Sequence, residues 1–170
     1  MITVALAREL FRHMQWADAE IWRALLANPA ATEDRKLMKI VRHIRGTQRA
    51  FLAMWTHTET DPKEAFSHRE PDTLREAARA YYVEAEPFLA RLDPSTFDEI
   101  VVMPWLPHFA EQLGRPLQAP TLGETLVQLP AHSTYHRGQA NQRLREVGGQ
   151  PPLVDYIAWV WFGRPESNWP

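Results

Sequence analysis

Two histidines four residues apart are the side chains of this sequence best spaced to act together: His132 and His136, in the stretch His132-Ser133-Thr134-Tyr135-His136-Arg137-Gly138-Gln139. On a helix, residues i and i+4 lie one above the other on the same face, so both imidazoles aim at one point and begin a metal site. In 170 residues with seven histidines, chance supplies roughly 0.3 such pairs, so the spacing alone identifies nothing. A third ligand and a scaffold must come from elsewhere in the chain.

What is missing narrows the chemistry. There is no cysteine, hence no disulfide, no cysteine nucleophile and no thiolate ligand; any metal would rest on His, Asp, Glu or water. Ser133 follows His132 where a zinc-protease helix carries the glutamate that serves as general base. A net charge of −2, with nineteen basic residues spread among twenty-one acidic ones, gives no electrostatic basis for nucleic-acid binding. The longest apolar run, Tyr156 to Phe162, is far below the roughly 20 residues that cross a bilayer. Arg8 and Glu9 interrupt the N-terminus before a signal peptide's apolar region can build up. A cytoplasmic protein with neither membrane nor nucleic-acid partners is expected.

Helical periodicity supplies the elements that could position the pair. Leu6, Leu10, Met14, Ala17, Ile21 and Leu25 mark a first helix from Thr3 to about Ala27, and His13, one position off that stripe, reads as a boundary or surface residue. A second helix runs from about Lys36 to Thr58 on Leu37, Ile40, Val41, Ile44, Phe51, Leu52 and Trp55. His43 flanks that stripe, and the small residues Gly46 and Ala50 share its face. The space beside the imidazole suits either an ion with its substrate or a closely packed neighbour. His57 and His68 read as solvated, and Asp61 to Pro71 as a polar connection. Thr73-Leu74-Arg75-Glu76 has the form of a capping box opening a third helix to about Leu92, with a kink or break near Ala85 imposed by Pro87.

Residues 93 to 120 carry five prolines; a short strand over 97–103 pairing with 115–119 is expected there, with His108 a solvated loop residue. Thr121-Leu122-Gly123-Glu124 is a second capping box, and the helix it opens ends at Gly148-Gly149. Its core stripe includes Leu126, Leu129, Ser133, His136, Ala140 and Leu144. His136 therefore faces inward, and His132 lies on an adjoining polar stripe with Thr125, Gln139 and Arg143. Pro130 should bend this helix or free the Leu126 carbonyl, which could orient a histidine. Leu153 to Phe162 should cover one end of the fold, and the tail from Gly163 to Pro170 carries no recognisable signal.

Four amphipathic helices with one long crossing segment predict an all-α four-helix bundle, residues 1–170 forming a single domain, in which facing core side chains build metal sites. His43 with His132 and His136 would supply three nitrogens. Trp16-Ala17-Asp18 in the first helix, His43 in the second and His132-x-x-x-His136-Arg137-Gly138-Gln139 in the fourth precede Gly148-Gly149-Gln150-Pro151-Pro152 and Asp155-Tyr156-Ile157. Together they closely resemble the DinB/YfiT-like metalloenzyme family over nearly the whole chain. The resemblance implies an up-down-down-up bundle, a homodimer, and a divalent metal, zinc or nickel, on His43, His132 and His136. Some relatives are thiol transferases that use a small cellular thiol such as bacillithiol, mycothiol or glutathione. The implied chemistry is therefore activation of a thiol, or of water, for transfer to an electrophile. The alternative is a non-enzymatic, stress-associated bundle that binds a metal or ligand. No general base stands out.

Overall fold

Local caps decide where the helices begin. Thr3 accepts a hydrogen bond from the Leu6 N–H at 3.1 Å and opens α1, Val4–Leu26. Asn28 caps a short α2, Pro29–Glu33; Pro29 sits at its first position, where the missing N–H costs nothing. Asp34 accepts from Leu37 N–H at 2.8 Å and opens α3, Arg35–Trp55. The computed structural model describes residues 2–59 and 65–170, so part of the polar connection expected from Asp61 to Pro71 lies outside the described residues.

The third long helix, α4, spans Pro71–Ala90. The capping box expected at Thr73 does not form. Pro71 starts the helix two residues earlier, and the Thr73 hydroxyl donates instead to the Glu70 carbonyl at 3.1 Å. Nor does Pro87 break it. The carbonyl that Pro87 leaves without a partner belongs to Val83, 72% exposed, where water can take it. At the end of α4, Arg8 donates to the carbonyls of Leu89 and Ala90 at 3.0 and 2.8 Å, satisfying acceptors that a helix C-terminus leaves open.

Residues 93–120 hold a 3₁₀ turn at Pro94–Thr96 and a helix α5 at Leu106–Leu113 with Pro107 in its first turn. No strand occurs among the described residues. The expected pairing of 97–103 with 115–119 shrinks to one antiparallel bridge between Ile100 and Thr121, held by Val101 N–H to Pro120 O and Leu122 N–H to Glu99 O, both 2.8 Å. Prolines at 116 and 120 remove the donors that a longer ladder would need. The capping box at Thr121 and Glu124 forms as expected and opens α6, Leu122–Glu146, which runs through Pro130 without a break. A last short helix, α7, covers Tyr156–Trp161.

Contacts at the helix ends fix the up-down-down-up arrangement. Arg8 near the start of α1 meets the end of α4, and Asp34 at the start of α3 pairs with Arg143 near the end of α6, so both pairs are antiparallel. The Asn28 amide meets the Val147 carbonyl at the matching ends of α1 and α6, and Arg49 pairs with Glu84 at equal depth in α3 and α4, so these run parallel. Two apolar clusters fill the interior. One gathers Trp22, Leu25, Leu37, Leu144 and Trp159; the other gathers Phe11, Met14, Phe51, Trp55, Leu126 and Leu129. The tail is structural after all, since Trp169 packs against both clusters and its ring lies 5.9 Å from that of Tyr82.

A polar knot crosses this interior. The Asp18 carboxylate, 5% exposed, accepts from Arg137 Nη1 at 2.8 Å, Gln48 Nε2 at 2.7 Å and Tyr82 Oη at 2.5 Å, so each of the four long helices contributes one side chain. Burying a carboxylate is costly unless it is paired and hydrogen-bonded, and here it is both.

Candidate metal centre

Antiparallel packing of α3 on α6 brings the middle of one helix to the middle of the other, which is where His43, His132 and His136 stand. The ring of His136 lies 4.4 Å, centroid to centroid, from each of the other two, at steep angles of 70° and 67°. His43 and His132 are 5.2 Å apart, with their Nε2 atoms 3.1 Å from each other. One potential ligand atom from each ring falls within 4.8 Å of the others, and this is the one such group of three among the described residues. Sequence spacing put two imidazoles on one face of a helix, and the fold adds the third.

The donor set fits a divalent cation. Two ligands at a metal–nitrogen distance of about 2.0–2.1 Å in tetrahedral coordination stand roughly 3.3 Å apart, close to the 3.1 Å between His43 and His132. Metal ligation needs neutral imidazole. Burial, followed by the neighbouring His136 and then His43, pushes His132 down to about 4. Burial, His136 and Lys39 lower His43 as well. Both are therefore lone-pair donors at neutral pH. His136 is held by its own neighbour on α6, since its Nδ1 lies 2.7 Å from Gln139 Oε1.

Two aromatic rings border the triad. Phe66 lies flat against His43, ring centroids 6.3 Å apart and planes 24° from parallel. Its ring fills the space over Gly46, where an added Cβ would stand 2.1 Å from Phe66 Cε1. Of the two explanations for the small face beside His43, packing holds at Gly46, yet His43 still joins the other two histidines. Tyr135, 64% exposed, stands edge-on to His136 with centroids 5.0 Å apart. Ser133, between the two α6 histidines, is fully buried.

The remaining histidines stay apart from this group. His57 and His108 are exposed and His68 is partly buried. His13 departs from its expected place at the surface. It is 3% exposed, donates from Nε2 to the Val154 carbonyl at 3.0 Å, and packs among Trp16, Tyr156 and Trp159. Burial lowers its pKa against the opposing pull of that carbonyl bond. The segment after α6 folds back over α1 and encloses it, a tertiary event that α1's own periodicity does not encode. The triad makes no bond to the Leu126 carbonyl freed by Pro130; among the described residues its hydrogen bonds run between His43 and His132 and from His136 to Gln139.

Among the described residues no helix is long and apolar enough to cross a membrane. Neither the curated proteins nor the solved structures contain a match to this chain. A helical bundle whose second and fourth long helices bring three histidines together is what the sequence signature implied, and the family comparison agrees along almost the full length: matching the DinB family model over residues 1–166, the chain belongs to the DinB family.

Proposed function

We propose that this protein holds a divalent cation, zinc or nickel, on His43, His132 and His136, and uses it to activate a small thiol, or water, for transfer to an electrophilic substrate. The observation that carries the reading is the convergence of three imidazoles from two helices, two of them kept neutral by burial, with no carboxylate in the group. Three protein ligands leave a coordination position for a substrate, the arrangement of catalytic rather than structural sites. A zinc-type cation lowers the pKa of a coordinated water to about 7 and deprotonates a coordinated thiol.

The chain's own residues divide the remaining work. The imidazoles would supply lone pairs and no negative charge, so a bound cation would keep its net positive charge for polarising a thiol or water. Phe66 walls the His43 side with an apolar ring, which excludes water there and offers a surface to a substrate's carbon skeleton. With no cysteine in the chain and Ser133 buried, the nucleophile comes from outside the protein.

The test uses protein purified without a histidine tag, dialysed against zinc or nickel, and assayed for bound metal by mass spectrometry. About one ion per chain is expected, with its loss in His132→Ala; a wild type that retains no metal refutes the proposal. Loaded protein is then screened for thiol consumption with an electrophile. Metal retention without turnover of thiol or water would favour the non-enzymatic metal-binding alternative.

A further inference from the structure

The three histidines are not equivalent. Among the described residues, His43 and His132 hydrogen-bond only to each other, whereas His136 has a partner outside the triad, Gln139 Oε1 at 2.7 Å from its Nδ1. An amide oxygen can only accept, so the hydrogen of this bond sits on His136 Nδ1. A neutral imidazole carries a single N–H, and the other nitrogen, Nε2, is then a bare lone pair. Gln139 follows His136 by three residues on α6, a spacing that keeps the two side chains on one face.

We infer that Gln139 is a positioning residue: its amide oxygen locks His136 in the Nδ1–H tautomer and fixes the ring so that Nε2 is the atom presented to a metal. The inference deepens the metal-centre reading and takes its purpose from it. Either His43 or His132 can be the donor across their facing Nε2 atoms, so neither ring is committed in advance. His136 is committed, which makes it the pre-set ligand around which the other two close. Without Gln139 the ring samples both tautomers, and the form with hydrogen on Nε2 cannot ligate through that atom. A carboxylate in place of the amide would still accept from Nδ1, so the role belongs to the acceptor oxygen at this position.

The test compares wild type, Gln139→Leu and Gln139→Glu. Histidine ¹⁵N shifts, recorded on metal-stripped protein at pH 8, read the His136 tautomer directly. Wild type and Gln139→Glu should show hydrogen on Nδ1, and Gln139→Leu a mixture of the two forms. Zinc affinity, measured by competition with a chromophoric chelator, should fall about 10- to 100-fold in Gln139→Leu, the usual effect of removing such a partner, and stay within about threefold of wild type in Gln139→Glu. An unchanged tautomer in Gln139→Leu overturns the inference, as does unchanged affinity in that variant beside a metal-binding wild type. A wild type that binds no metal defeats the metal-centre reading instead, and the ¹⁵N shifts still decide whether Gln139 sets the tautomer.

Discussion

Removing the Asp18 carboxylate should be among the most damaging single changes this fold can suffer, and more damaging than removing the guanidinium it pairs with. Arg137 is 1% exposed; it gives Nη1 to Asp18 and Nη2 to Thr134 Oγ1, both at 2.8 Å. Asp18→Ala leaves a cation in the interior that cannot shed its proton, with its main acceptor gone, and also strands the donors of Gln48 and Tyr82. Breaking a buried pair from one side costs about 3–5 kcal/mol, and here the upper half of that range is expected. Arg137→Met leaves Asp18 with two donors, Gln48 Nε2 and Tyr82 Oη, and a carboxylate can escape its charge by taking up a proton. Its cost should fall in the lower half, about 3 kcal/mol. The double variant should cost less than the sum of the two by about 2 kcal/mol, because each removes the other's stranded charge. Urea unfolding followed by helical circular dichroism at pH 7.5 measures all three. Costs below about 1 kcal/mol for both single variants, or additivity within about 0.5 kcal/mol, would refute the claim that a coupled ion pair holds the four helices together.

Two further outcomes follow from ionisable groups away from the triad. His13 is kept neutral in the fold, chiefly by burial, while in the unfolded chain it takes a proton near 6.5. The unfolded state therefore binds more protons below that pH, so stability is full above about 6.5 and declines as pH falls, by at most about 1.4 kcal/mol per unit. Urea midpoints at pH 7.5 and 5.5 should differ more for wild type than for His13→Gln, and equal slopes would count against a buried neutral ring. Asp34 is held at about 2, below its ordinary 3.8, first by the Arg143 guanidinium and further by the Leu37 N–H, against a desolvation that opposes them. Its contribution is full above about 4 and is lost as pH drops toward 2. Asp34→Asn keeps a side chain able to cap α3 and removes only the ion pair, costing about 1 kcal/mol at neutral pH; Asp34→Ala removes both and should cost about 1 kcal/mol more. Thermal melts of the pair of variants separate the two contributions, and equal costs would mean that the cap contributes nothing.

The long helices and the His132–His136 pair were legible because their signals are local. A 3.6-residue period, the caps at Thr121 and Gly148 and the i,i+4 pair at His132 and His136 all act within one or two turns. The misses come from contacts that close over long sequence distances. The burial of His13 depends on Val154, 141 residues away, and Trp169 acquires its role only when the tail returns to Tyr82. Phe66 fills the space above Gly46 from the far side of the α3–α4 connection. At Leu106–Leu113 a usable signal was present, since Pro107 is placed where a first helical turn tolerates it, but four neighbouring prolines argued for loop or edge strand.

The signature stretch illustrates why a motif that points to a metal need not consist of metal ligands. Over about two turns of α6 it faces two ways. His132 and His136 turn toward α3 and His43; Gln139, on the same side, sets the hydrogen of His136; Arg137, on the inner side, reaches Asp18 and through it α1, α3 and α4. The Trp16-Ala17-Asp18 segment that accompanied the motif in the sequence is thus its physical counterpart, 119 residues away, rather than a separate landmark. A helix that must present two imidazoles to a third within a few tenths of an ångström cannot be free to rotate or slide, and apolar packing alone resists sliding weakly because one leucine contact can replace another. A buried ion pair with three directed bonds on its carboxylate has one register in which it is satisfied. The cost of desolvating Asp18 and Arg137 is thereby exchanged for a fixed rotation of α6 against the other three helices, and the position of His136, next to Arg137 in the chain, inherits that register.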